Sequence, residues 1–166
     1  GYLLDQFLRD GSNHRSGRYG GPIEHRARLL LEVIDAVRLE SPLVGLRLSP
    51  LNSYNAIADS DPIGLITWLA ERLNGCGLAY LHLMRGDFAA QQHGDVLTPV
   101  RQHFQGPLIA NMGYTAAEAS AAIGAGLIDA VAFGQAFLAN PDLPARIAAG
   151  APLQAADPAT FYTPVS

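Results

Sequence analysis

Pro107-Leu108-Ile109-Ala110-Asn111-Met112-Gly113-Tyr114-Thr115-Ala116-Ala117-Glu118 passes from a short apolar run, through a glycine turn, into a helix start. Residues 107–111 follow the Gln105-Gly106 turn and read as a strand. Thr115 and Glu118 have the spacing of a capping box, so a helix is expected from there through Ile123. Strand, glycine turn, helix makes one βα unit, and it recurs on both sides of this stretch. Downstream, Gly124-Ala125-Gly126 stops the helix, Ile128–Phe133 reads as the next strand, and Phe133-Gly134-Gln135-Ala136 turns into another helix. Upstream, Leu78–Met84 follows the Asn74-Gly75-Cys76-Gly77 turn, and Leu43–Ser49 is bounded by Pro42 and Pro50.

Helical patterns fill the intervals. Pro22 stands where a first-turn proline belongs, ahead of Ile23-Glu24-His25-Arg26 and the stripe Leu29, Leu30, Val33, Ile34, Val37. Ser60 or Asp61 can cap a helix from Pro62 to Leu73. Asn140-Pro141-Asp142 opens a last helix that tolerates Pro144 in its first turn. Successive strands lie roughly 20 to 35 residues apart, as parallel βα units require. The class is therefore α/β with a parallel sheet. A doubly wound sheet and a (β/α)8 barrel share this order of elements. What separates them is chemistry at the C-terminal ends of several strands, which marks the barrel.

Composition narrows the function. The chain has 166 residues, a net charge of −4, 49% apolar and 16% charged residues, and no lysine. That balance fits a globular protein and excludes the basic footprint of nucleic-acid binding. Arg15, Arg18, Arg26 and Arg28 cluster, but Glu24 and Glu32 interleave with them, so a solvated helix face is expected. No apolar run approaches the roughly 20 residues of a membrane span. The single Cys76 can form no internal disulfide, which points to a reducing, cytoplasmic compartment. The chain opens on Gly1 without an initiator methionine, as expected of a processed product or of part of a longer one.

Several residues stand out chemically. Arg47 lies inside an apolar strand, where a charge is costly to bury unless it is paired or binds an anion. Either a carboxylate or backbone carbonyls within the core, or an electron-rich ligand at the strand end, would satisfy it. The turns at Met112-Gly113 and Gly134-Gln135 could both present backbone amides to a phosphate. Gly124-Ala125-Gly126 is not a dinucleotide loop, because it ends a helix instead of opening one. The five histidines show no metal-ligand spacing, and His82 in mid-strand reads as a satisfied core histidine. There is no nucleophile elbow, and on pattern alone Tyr2 is a packing residue.

Four stretches together resemble the Old Yellow Enzyme family of flavin-dependent ene-reductases. Gly1-Tyr2-Leu3-Leu4-Asp5-Gln6-Phe7-Leu8 is similar to that family's GYLL-x-QFL segment, and Tyr19-Gly20-Gly21-Pro22-Ile23-Glu24-His25-Arg26 to its YGGSxENR signature. Val44-Gly45-Leu46-Arg47-Leu48-Ser49-Pro50 matches VGxRLSP, and Phe133-Gly134-Gln135 through Ala139-Asn140-Pro141-Asp142-Leu143 resembles FGRxxxANPDL. The resemblance implies FMN at the mouth of a (β/α)8 TIM barrel, reduced by NADPH or NADH. The flavin would then pass hydride to an activated alkene, such as an enone or nitroalkene. Carried over by motif, Arg47 would stand by the N1/C2=O side of the isoalloxazine. Met112, Gly113, Gly134 and Gln135 would offer amides to the FMN phosphate, and Tyr2 would protonate the substrate α-carbon.

Three departures qualify the likeness. Gln135 stands where the family usually has arginine, which removes a charge-assisted phosphate contact. Pro22 and His25 replace a serine and an asparagine of the signature. The family's substrate-binding pair falls just before Gly1, and the four strands found here would be barrel strands five to eight. A complete barrel runs to roughly 250 residues. Residues 1–150 are thus expected to form the C-terminal half of a barrel, and residues 151–166 a tail. The expected partner is a complementary N-terminal half-barrel. An isolated half that binds FMN or a phosphate ligand without turnover, and an inert self-associating fragment, are the alternatives.

Overall fold

The computed structural model describes residues 2–162; Gly1, the first residue of the GYLL segment, and residues 163–166 of the tail lie outside the described residues. The four expected strands are present as β1 (Gly45–Leu48), β2 (Tyr80–Met84), β3 (Leu108–Asn111) and β4 (Ala130–Ala132). They form one parallel sheet in the order β1-β2-β3-β4. Arg47 pairs with His82, His82 with Ile109, and Ile109 with Ala130, so these residues share one rung and one face.

The helices are α1 (Leu3–Leu8), α2 (Ile23–Arg26), α3 (Arg28–Glu40), α4 (Pro62–Asn74), α5 (Leu97–His103), α6 (Ala116–Gly124), α7 (Gln135–Ala139) and α8 (Leu143–Ala149). Asp61, and not Ser60, caps α4 by accepting from the Gly64 N–H. The Thr115–Glu118 capping box opens α6 as expected. At its end Gly126 takes φ +70°, which fits its place in the stop signal. Two helices have no counterpart in the periodicity reading. In α1 only Asp5 and Leu8 are buried, too few positions for a pattern. At α5, Asp95 accepts from the Leu97 and Thr98 N–H groups, and Pro99 lies in the first turn.

The core lies on one face of the sheet. Leu46, Leu48, Leu81, Leu83, Leu108 and Ala110 meet Leu30, Ile34, Leu65, Ile66, Leu69, Leu73 and Val100 from the helices. Each leucine, isoleucine or valine among them contributes about 1.5–3 kcal/mol on full burial. The opposite face carries Gly45, Arg47, Tyr80, His82, Ile109 and Ala130, all exposed or half-buried.

Two expectations about charge and polarity are corrected here. His82 is not a core residue: it stands half-buried on the open face beside Arg47, whose exposure there removes the alternative of a partner within the core. Arg26 does not belong to a solvated face either. It is 6% exposed and its Nη1 lies 2.7 Å from Asp59 Oδ2. Arg15 and Arg18 do face solvent.

Candidate functional site

All four strands deliver their C-terminal ends to the same edge of the sheet, because they run parallel. The six residues singled out by sequence gather there in two groups.

The first group is Tyr2 with Arg47, which line a cleft of about 420 Å³ together with Leu3, Leu4, Leu48 and Ser49. Helix α1 places Tyr2 there. It is pinned to the end of β1 by Ser49 Oγ, which donates to Asp5 Oδ2 at 3.1 Å, and by Arg9, which donates to the Ser49 carbonyl. Tyr2 itself is 76% exposed, so its hydroxyl is accessible from the cleft. Arg47 makes no ion pair with a carboxylate among the described residues. Its Nη1 lies 2.7 Å from His82 Nε2 and donates to Asn111 Oδ1 at 3.2 Å. Burial, and then the Arg47 charge, push the His82 imidazole below its ordinary value, although a hydrogen bond with Asn111 works the other way.

The second group is Met112, Gly113, Gly134 and Gln135. They line a cleft of about 260 Å³ between the ends of β3 and β4, with Asn111, Tyr114 and Phe133. Met112 and Gly113 both have left-handed backbone, at φ +85° and +68°. Among the described residues, no backbone hydrogen bond reaches the N–H of Gly113, Tyr114, Gly134 or Gln135. A Cβ at Gly134 would meet nothing within 4 Å, so the floor of the cleft is open at that point. Helix α7 has only five residues, which leaves individual amides and not an extended macrodipole on that side.

Asn111 links the two groups, since it lines the second cleft and accepts from Arg47 of the first. The sequence reading missed it. It also missed Arg85, directly after β2, whose Nε donates to the Met112 carbonyl and whose Nη2 donates to the Gly113 carbonyl, both at 2.8 Å. The signal that drew attention to Arg47, a charge at an apolar strand, was available at Arg85 too.

A loop anchored by Asp87 closes this edge. Its carboxylate accepts from the N–H groups of Ser53, Ala89, Gln91 and Gln92. Burial works to raise this carboxyl, but these hydrogen bonds outweigh it and hold the group well below the usual range. The same loop carries Phe88, 68% exposed, at the rim of the second cleft.

The model of the NADH:flavin oxidoreductase / NADH oxidase family matches residues 1–154. A probable flavin mononucleotide-dependent alkene reductase of Leishmania infantum is 48% identical over 165 residues, which are 98% of this chain and 45% of that protein. The old yellow enzyme from Trypanosoma cruzi superposes with a TM-score of 0.95 at 44% identity, over 98% of this chain and 44% of that one. Morphinone reductase in complex with tetrahydroNAD superposes at 0.88 and 43%, over 98% and 44%. The chain therefore spans about half the length of the relatives it matches, and its parallel sheet is that of a partial barrel.

Proposed function

The chain belongs to the NADH:flavin oxidoreductase / NADH oxidase family, and on that premise we propose that it is the C-terminal half of an FMN-dependent ene-reductase. In this reading residues 1–150 make strands five to eight of a (β/α)8 barrel, and a complementary N-terminal half covers the open face of the sheet. The observation that carries it is the joint presence, at one end of a parallel sheet, of an arginine without a carboxylate partner and a cleft lined by unpaired backbone amides, both among the described residues.

The residues fit FMN in kind. The amides of Gly113, Tyr114, Gly134 and Gln135 suit the phosphate, since oriented N–H groups in turns bind anions. Arg47 suits an electron-rich ring edge, because it is cationic and exposed on the lumen face. FMN held there would supply hydride chemistry between NADPH or NADH and the β-carbon of an activated alkene. Arg47 stabilises negative charge on the ring. Tyr2 donates its hydroxyl proton to the α-carbon of the same alkene, directly or through one water. Asn111 holds Arg47 in place from the neighbouring strand.

The open face supports the missing half as partner. Tyr80 is 40% exposed and its ring lies directly against Gly45, leaving an uncovered apolar and cationic surface beside the free edge of β1. A cytoplasmic location accompanies this reading and rests on the free Cys76.

The test is to purify the chain from cells that also express the remaining half of the barrel, then record intact mass and visible spectrum. A yellow complex of two polypeptides, bleached by NADPH or NADH and restored by 2-cyclohexenone, is expected. A colourless 17.6 kDa species alone overturns the proposal, and a yellow homodimer transfers the partner role to a second copy.

A further inference from the structure

We propose that Arg85 is a positioning residue for the phosphate of the bound flavin, acting from behind the cleft through the peptide groups of Met112 and Gly113. The inference deepens the FMN reading above and rests on it. The guanidinium donates from Nε to the Met112 carbonyl and from Nη2 to the Gly113 carbonyl, both at 2.8 Å. In a trans peptide the C=O and the following N–H point in opposite directions. With both carbonyls tied to Arg85, the N–H groups of Gly113 and Tyr114 are turned away from it. Arg85 lines a second cavity on the far side of Met112, with Asp87 and His93, and not the cleft between β3 and β4. The two N–H groups therefore face the side where the cleft lies.

Orientation is one effect and polarisation is another. A cation bound to a carbonyl draws charge along the peptide and strengthens the N–H on the other side as a donor. The positive charge of Arg85 is thus delivered to the cleft by two neutral peptides. This bears directly on Gln135, which brings no charge to the opposite wall. Arg85 is itself held rigidly: its guanidinium lies over the Tyr114 ring, 3.6 Å from the centroid. Its Nη2 is also 3.7 Å from Glu118 Oε2, the carboxylate that accepts from the Thr115 N–H in the α6 capping box. One side chain therefore couples strand β2, the turn and the helix start. It also holds Met112 in the left-handed conformation at φ +85°, which a non-glycine residue does not adopt without support.

The experiment compares FMN with riboflavin, which lacks the phosphate, by quenching of flavin fluorescence on the chain co-purified with the remaining half of the barrel and on its variants. Wild type is expected to bind FMN at least about tenfold more tightly than riboflavin, a difference of about 1.4 kcal/mol. Arg85→Met is expected to abolish this preference while leaving riboflavin affinity within about twofold. Should that variant fail to fold, Arg85→Lys serves in its place, because an ammonium cannot reproduce the two-carbonyl fork; its preference is expected to drop by about threefold. Equal weakening of both ligands, or an undiminished FMN preference, overturns the role of Arg85 and leaves the flavin site standing. A wild-type chain with no preference for FMN over riboflavin overturns the phosphate assignment and the Arg85 proposal together.

Discussion

Arg47 and His82 stand side by side on neighbouring parallel strands, one rung of the sheet, with Arg47 Nη1 2.7 Å from His82 Nε2. A protonated imidazole is disfavoured there, first by partial burial and then by the guanidinium. Both effects favour the neutral imidazole, burial more than the neighbouring charge, so Arg47 rather than His82 carries the positive charge of this rung.

The folded-state pKa of His82 lies below its ordinary value of 6.5, so near and below that pH the unfolded chain binds more protons than the folded one. The contribution of this group to stability is complete above about pH 6.5 and declines as the pH falls below it. NMR titration of the His82 Cε1–H resonance is expected to give a midpoint below 6.5, moving upward in Arg47→Met. A midpoint at the ordinary value in the wild type, or one indifferent to Arg47, would show that the pair does not interact in solution.

Arg26 and Asp59 form a buried ion pair at 2.7 Å, with side chains 7% and 1% exposed. Asp59 also accepts from the N–H groups of Asp10 and Asp61, and Arg26 donates to the Leu8 and Gly21 carbonyls. Removal of one partner strands the other charge in the core. Asp59→Ala and Arg26→Met are each expected to lower unfolding free energy by about 3–5 kcal/mol. Urea denaturation measures this, and a loss below about 1 kcal/mol would place the pair among weak surface bridges.

These residues show what was legible in the sequence and what was not. The strands were readable because each runs apolar between turn residues. Their observed spans are shorter, since Leu43 and Val44 lie before the pairing of β1 begins. Leu46-Arg47-Leu48 and Leu81-His82-Leu83 carry a period of two, which means one face buried and the other open. Reading the second as a uniformly apolar run placed His82 in the core, and the first left Arg47 open between a core partner and a ligand at the strand end. Arg26 was misplaced for a different reason, since its partner lies 33 residues away and no local spacing indicates it. Tyr2, Arg47, Met112, Gly113, Gly134 and Gln135 do come to one edge of the sheet. Asn111 and Arg85, which connect and brace them, act through contacts between strands that periodicity does not encode.

Met112 holds φ +85° immediately before Gly113 at +68°. Left-handed backbone costs a residue with a Cβ roughly 1–2 kcal/mol, and glycine avoids most of it. The Met112 side chain is only half-buried, so its loss offsets part of that gain. Met112→Gly is expected to raise the thermal midpoint modestly, by about 1 kcal/mol of stability. Met112→Val, branched at Cβ, is expected to lower it by about 1–2 kcal/mol. Calorimetry on both variants decides this, and a destabilised glycine variant would locate the value of Met112 in its side chain.

Tyr2 shares its cleft with Arg47 and presents an exposed ring from the start of α1. A proton donor there acts after the flavin has been reduced, so its loss must separate the two half-reactions. In the completed barrel, Tyr2→Phe is expected to leave flavin reduction by NADPH within about twofold and to slow reoxidation by an enone by about 100-fold or more, the range of a general acid. Stopped-flow absorbance at the flavin band follows both steps. Equal slowing of both half-reactions would assign Tyr2 to shaping the cleft and remove it from proton transfer.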